Sequence, residues 1–247
     1  MRWFIVFSLL IQLSCNSTSK EQKAGVCLSF DDRSISEWHS CRSLFDKYDA
    51  RCTFFITQFD QLNTDEINML HDLQDDGHEI ASHGAQHEIA EFYIKEHGYH
   101  KYLNDEVDKS IREMHNSGFN PVSFSYPYGS AFWFTDALLL KRFKRLRKVA
   151  TLGKDQEIDE LDCIYYSFDD ARILSSLAID NNTQITTDQI TKALDRVSRK
   201  NEIVMFFAHT PTDSVIKGSH MVSKKRLQEL LSEAQSKGLV FYTFDSL

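Results

Sequence analysis

The sequence predicts an α/β fold in which parallel strands alternate with helices and close into a distorted, incomplete (β/α) barrel of seven or eight strands. Three observations lead there. Short apolar runs recur at the length of buried strands, amphipathic stretches of helical spacing separate them, and glycines close those stretches. Strand-helix-strand order calls for parallel pairing with right-handed crossovers. The chain beyond residue 24 is somewhat short for a full eightfold barrel, which takes about 250 residues. An open doubly wound sheet is the competing architecture.

The strand runs are residues 26–30, 52–57, 78–82, 122–126, 148–152, 163–168, 203–208 and 239–244. Four helices are expected between them. Thr64 caps the first, with Ile67, Leu70 and Leu73 inward and Gly77 at its close. Val107, Ile111 and Met114 mark the second, closed by Gly118. Ile190, Leu194 and Val197 mark the third. Leu227, Leu230, Leu231 and Ala234 mark the fourth, closed by Gly238. Apolar spacings of three and four ending at glycine are the signature of an amphipathic helix and its C-terminal turn. No repeat or linker interrupts residues 25–247, which read as one domain.

The first fourteen residues stand apart. Arg2 precedes an apolar stretch over residues 3–13, too short to span a bilayer and suited to a signal-peptide core. Leu13-Ser14-Cys15 and the polar residues to 24 resemble a bacterial lipoprotein signal followed by a tether. This implies cleavage before Cys15, a lipid on its sulfur and a place in the cell envelope; a plain secretion signal is the alternative. Beyond that anchor no membrane contact is expected, and no obligate protein partner is evident. Cys27, Cys41, Cys52 and Cys163 allow three pairings, which spacing does not choose between, and free thiols are equally compatible. A formal charge of −8 argues against nucleic acid as the main partner.

Barrel chemistry sits at the C-terminal ends of the strands. There the chain carries Asp31-Asp32, then His83 and His87, then Pro127-Tyr128-Gly129, then His209. Histidines four apart on a helical turn share a face and can reach one cation. Asp31 and Asp32 would point to opposite faces of a continuing strand, so both serve one site only if the chain turns there. The aromatic run at 131–134 suits a sugar face or the core, and the basic run at 141–148 reads as a solvated helix face.

In that order, "SFDDR", "SHGAQH", "SYPYG" and "FFAH" resemble the polysaccharide deacetylases of carbohydrate esterase family 4, the NodB-homology fold, a relative of the TIM barrel. The family pattern reads Thr-Phe-Asp-Asp-Gly, His-(Ser/Thr)-x-x-His, Arg-x-Pro-Tyr and Leu-x-His. The resemblance implies hydrolysis of acetyl groups from an acetylated polysaccharide. Asp31 would be the base and His209 the acid, Tyr128 would give its backbone N–H to the oxyanion, and Asp32, His83 and His87 would hold a divalent metal. Zinc is the first candidate for that metal, with cobalt and nickel as alternatives.

Two departures stand out. Ser125 occupies the place of the third-motif arginine, with Arg172 favoured over Arg33 as its replacement. The fourth motif, whose aspartate orients the histidine, lacks its usual form, and Asp169 or Asp170 is the expected substitute. The competing functions are a non-catalytic carbohydrate-binding protein on the same fold and another metal hydrolase, such as an amidase or phosphodiesterase.

Overall fold

The computed structural model describes residues 22–247 apart from Phe132, Val215 and Lys217, and apart from the side chain of Trp133. The expected signal, Cys15 and most of the expected tether lie outside the described residues. No described helix is long and apolar enough to cross a membrane.

In chain order the strands are β1 (Gly25–Asp32), β2 (Cys52–Ile56), β3 (Glu79–Ser82), β4 (Ser123–Ser125), β5 (Arg145–Ala150), β6 (Tyr165–Tyr166), β7 (Ile173–Ala178), β8 (Ile203–Ala208), β9 (Thr210–Thr212), β10 (Met221–Ser223) and β11 (Val240–Phe241). Seven of them, β1, β2, β3, β4, β5, β7 and β8, pair in parallel in that order, and β8 returns to β1 with Gly25 opposite Ile203 and Phe30 opposite Ala208. The ring is therefore a closed barrel, and the open-sheet alternative is excluded. Its distortion is local. β4 has three residues, and it meets β3 through one registered pair, Ser82 with Phe124.

Alternation along β1 sorts side chains to two environments. Val26, Leu28 and Phe30 face outward and pack with Trp38, Phe45 and Leu70 of the surrounding helices. Cys27 joins Phe55, Ala81, Leu174 and Met205 in a separate cluster inside the ring. Asp31 falls on the same inward face as Cys27. The interior is partly polar, holding Ser29, Thr53, Glu79, Ser123, Ser125 and Arg147 fully or almost fully buried.

The expected helices form as Thr64–Asp75, Lys109–Asn116, Thr187–Lys200 and Lys224–Ser236. The first is capped by Asn63 rather than Thr64: the Asn63 side chain accepts from the Glu66 N–H while the Glu66 carboxylate accepts from the Asn63 N–H, a reciprocal cap.

Three strand expectations change. Of residues 163–168 only Tyr165–Tyr166 is extended, and it pairs antiparallel to β8 outside the ring. The barrel strand of that region is Ile173–Ala178, whose Ser175 and Ser176 break an apolar run because Ser176 faces the polar interior. Residues 239–244 contribute only Val240–Phe241, alongside β1. The strand expected at 148–152 begins three residues earlier, at Arg145.

Cys27, Cys41, Cys52 and Cys163 are all free. Burial pushes the Cys27, Cys41 and Cys52 thiols up, away from the reactive thiolate. In native buffer Cys163, which is exposed, should alkylate while the peptides carrying the other three stay unmodified until guanidinium unfolds the chain. Peptide mapping by mass spectrometry checks this, and native label on Cys52 would contradict the packing of β2.

Candidate active site

The C-terminal ends of the barrel strands converge on a cleft of about 480 Å³, whose lining includes Asp31, Asp32, His83, His87, Tyr128 and His209. The turn that both carboxylates require is present. Asp32 adopts φ +81°, a left-handed conformation uncommon outside glycine, so the chain swings as β1 ends and both side chains reach the cleft. His87 (φ +64°) and Tyr128 (φ +57°) are left-handed too. Such backbone costs on the order of 1–3 kcal/mol per residue and persists where surrounding structure holds it.

Asp32, His83 and His87 come together as one group. Asp32 Oδ1 lies 3.3 Å from His87 Nε2 and 3.7 Å from His83 Nε2, and the two imidazole nitrogens are 3.2 Å apart. His83 Nδ1 sits 2.9 Å from the Ser125 carbonyl oxygen, which can only accept, so Nδ1 carries the proton and Nε2 offers its lone pair to the cleft. Burial lowers the His83 pKa to about 4, which keeps the ring neutral as a metal ligand must be. Burial opposes the charge on Asp32, but the His87 hydrogen bond and the surrounding imidazoles outweigh it and hold its pKa at about 2. Two neutral imidazoles and an ionised carboxylate, with room on one side, fit a divalent cation with open coordination positions.

Asp31 is 3 % exposed, and its charge is met from β5. Arg147 Nη2 donates to Asp31 Oδ2 and to Ser125 Oγ, and Arg147 Nε donates to the same hydroxyl at 3.1 Å. The guanidinium carbon lies 4.3 Å from the centroid of the Phe207 ring and 5.4 Å from that of Phe55. Ser125 and Arg147 are register partners on adjacent strands. The arginine missing from position 125 is thus supplied one strand over at the same height. The other carboxylate oxygen, Asp31 Oδ1, is buried and has no hydrogen-bond partner among the described residues.

His209 is oriented by Asp180, which follows β7. Asp180 Oδ1 accepts from the His209 backbone N–H at 3.0 Å, and Oδ2 lies 2.5 Å from His209 Nδ1. Trp38 Nε1 donates to the His209 carbonyl at 2.7 Å. Burial favours a neutral ring, but the Asp180 hydrogen bond together with the charges of Asp31, Asp180 and Asp32 raises the His209 pKa. Asp180, His209 and His220 also lie within metal-ligating reach of one another. Both Asp180 oxygens are committed to His209, however, so the arrangement is that of a histidine with its orienting acid.

Other expected residues lie elsewhere. Arg172, expected to replace the third-motif arginine, sits just before β7 at the opposite end of the barrel. Its guanidinium is used on the carbonyls of Lys144, Leu140 and Phe143. Arg33 donates to Gln61 Oε1. Asp169 accepts from the Ala171 N–H two residues away, so neither it nor Asp170 is the partner of His209. The basic run 141–148 is no solvated helix face: Arg145 and Arg147 are inward residues of β5. In the aromatic run, Phe132 and the Trp133 side chain lie outside the described residues, and the Phe134 ring meets Tyr99 edge-on at 6.2 Å. Arg147 and Asp180 escaped the sequence reading. The available signals were the alternation of "RLRKVA", which puts every second residue inside, and an aspartate two residues past a strand end.

Replacing Asp180 by asparagine removes the anion that favours the protonated ring. The His209 pKa should fall in Asp180→Asn, read by NMR titration of the ring protons; an unchanged midpoint would deny Asp180 this role.

The family described as polysaccharide deacetylase matches residues 18–146, just over half of the chain. No curated protein matches the chain in sequence. Among solved structures it is similar to a family 4 carbohydrate esterase from Streptomyces lividans in complex with acetate, at 16 % identity and TM-score 0.53, over 88 % of this chain and 91 % of that one. It is also similar to the catalytic domain of a peptidoglycan N-acetylglucosamine deacetylase from Eubacterium rectale, at 16 % identity and TM-score 0.53, over 90 % and 88 %. The Xyl-CE4 domain of a multidomain xylanase from the hindgut metagenome of Trinervitermes trinervoides aligns at 14 % identity and TM-score 0.54, over 90 % and 87 %. These identities bear on the fold alone. Together with the family match and the ordered residues at the strand ends, they lead to one conclusion: the chain belongs to the polysaccharide deacetylase family.

Proposed function

We propose that this hydrolase removes acetyl groups from an acetylated polysaccharide of the cell envelope, N-acetylhexosamine or O-acetylated, with a divalent cation, zinc in the first instance, held by Asp32, His83 and His87. The observation that carries the reading is the pair Asp31 and His209 lining one cleft beside that group, each oriented by a buried partner. A sugar-binding surface alone would have no use for a positioned base and a positioned acid.

Each residue has a task. A cation bound by the three donors would polarise the acetyl carbonyl and lower the pKa of the attacking water. Asp31 takes the water's proton. Arg147 fixes Oδ2, which lies 3.8 Å from His83 Nε2, and so sets the carboxylate beside the proposed metal group for that transfer. The Tyr128 backbone N–H serves the tetrahedral oxyanion, where removing one donor costs about 10²–10³ in rate. His209 then protonates the departing amine or alkoxide, which leaves as the sugar, and acetate follows.

Acetate release from N-acetylated and O-acetylated glycans tests this. Asp31→Asn should lower it by about 10²–10⁴, and chelation should abolish it until Zn²⁺ is restored. Release that survives both would overturn the mechanism, and sugar binding without release would favour a binding protein. Arg147→Lys keeps the charge but loses the planar fork and should cost about 10–100-fold with the fold intact.

The pH profile follows from His209, which Asp31, Asp32, Asp180 and His220 face. The acid form is lost as pH rises through its pKa. Because that pKa is raised, the alkaline limb should lie above the ordinary histidine range, and in Asp180→Asn it should move to lower pH.

We propose also that the chain is exported and lipid-anchored at Cys15. Labelled palmitate should enter the wild type and not Cys15→Ala.

A further inference from the structure

The second motif departs from the family pattern at one position. Gly84 stands where a serine or threonine is expected, directly after the ligand His83. Gly84 has φ +81°, and a Cβ built on it would lie 2.1 Å from Glu106 Oε1. The space of a side chain at 84 is therefore filled by a carboxylate from another part of the chain.

That carboxylate is 0 % exposed and fully engaged. Glu106 Oε2 accepts from the Gln86 N–H at 2.7 Å, and Oε1 accepts from the Glu88 N–H at 2.9 Å. These two donors flank His87 on either side. The Glu106 carbonyl accepts in addition from the Ala85 N–H at 2.9 Å. One residue thus takes three backbone donors of the segment between and just beyond the two histidine ligands. It is presented by a π-helical turn, Leu103–Asp108, a feature that inserts an extra residue into a helix and is frequent at functional sites. Among the described residues no lysine or arginine forms an ion pair with it.

We propose that Glu106 is a positioning residue for His87: its carboxylate, in the place of a side chain at position 84, clamps the N–H groups on both sides of His87 and holds its left-handed backbone in the geometry that binds the cation. This rests on the reading of Asp32, His83 and His87 as a metal group. Loss of the clamp releases the Gln86 and Glu88 N–H groups and lets the strained loop relax, so the effect falls on metal affinity. A side chain at 84 and the carboxylate of Glu106 compete for the same volume, so the two positions are coupled.

The test measures Zn²⁺ affinity of the full chain by competition with a chelating dye, and the visible spectrum of the Co²⁺-loaded protein. The proteins are wild type, Glu106→Gln, Glu106→Ala, Gly84→Ser and the double variant Gly84→Ser/Glu106→Ala. Glu106→Ala should weaken Zn²⁺ binding by about 10–100-fold, the range for removing a partner of a ligand. Glu106→Gln, with the same shape but one acceptor turned into a donor, should fall between it and wild type. Gly84→Ser should weaken binding more in the wild-type background than in Glu106→Ala, because the second change frees the space. The Co²⁺ spectrum should shift in the Glu106 variants, as a loss of folding alone would not cause. Equal affinity and an unchanged spectrum in Glu106→Gln and in any other Glu106 variant that folds would overturn the proposal. A wild type that binds no Zn²⁺ would overturn the metal reading beneath it. A wild type that binds, with the two substitutions strictly additive, would overturn the shared-volume argument.

Discussion

A carboxylate sealed inside a barrel has to be met by opposite charge or surrender its own, and Asp31 is met by Arg147. Much of the upper barrel follows from that pairing. The guanidinium is itself buried, so it needs partners for its other donors, and Ser125 takes two contacts. Phe55 and Phe207 supply ring faces. The interior is therefore polar and aromatic at this level, where a stability-driven core would be aliphatic. Removing one member of such a pair costs about 3–5 kcal/mol, because the other is left charged and dry. The arrangement fixes Asp31 by one oxygen and leaves the other buried without a hydrogen-bond partner among the described residues.

Left-handed backbone recurs around the cleft. Asp32, Gly84, His87 and Tyr128 all have positive φ, and three of them carry side chains that resist it. Asp32 ends β1 and Gly84 lies two residues past β3, while Tyr128 and His87 lie three and five residues past β4 and β3, on the loops that carry them to the cleft. The strain is offset by local anchors: the Glu106 carboxylate for the histidine loop, the Ser125 carbonyl for His83 and a Pro-led turn for Tyr128.

Much of this was legible in the sequence, and the gaps share a physical cause. Strands β1, β2 and β8 are close to continuous apolar runs, and four helices announce themselves by spacing and a closing glycine or a cap. The cluster of Asp32, His83 and His87, and His209, follow from position at strand ends. What escaped was built by strands whose inward face is polar. Ile173–Ala178 carries two serines, and Arg145 to Ala150 carries arginines at alternate positions. A search for apolar runs discards such segments, and a count of charges assigns them to the surface. The residues that tune the site, Asp180 and Arg147, lie on or just beyond those two strands. The same polarity that makes them useful hides them from a reading by hydrophobicity. Glu106 was hidden differently, since only the fold brings residue 106 against residue 84.

The seam between β3 and β4 has a mechanical meaning. One registered pair joins these strands, and just above it the His83 imidazole donates to the Ser125 carbonyl, standing in for the missing strand bond. A residue that lines the cleft is therefore also a stitch in the wall. Occupancy of Nε2 and closure of the seam are linked, because whatever holds the ring from one side steadies the tie on the other. Local opening is cheapest where there are fewest bonds to break. The barrel's most compliant line thus runs beneath the floor of its own cleft, and its stiffness is set by what the cleft contains.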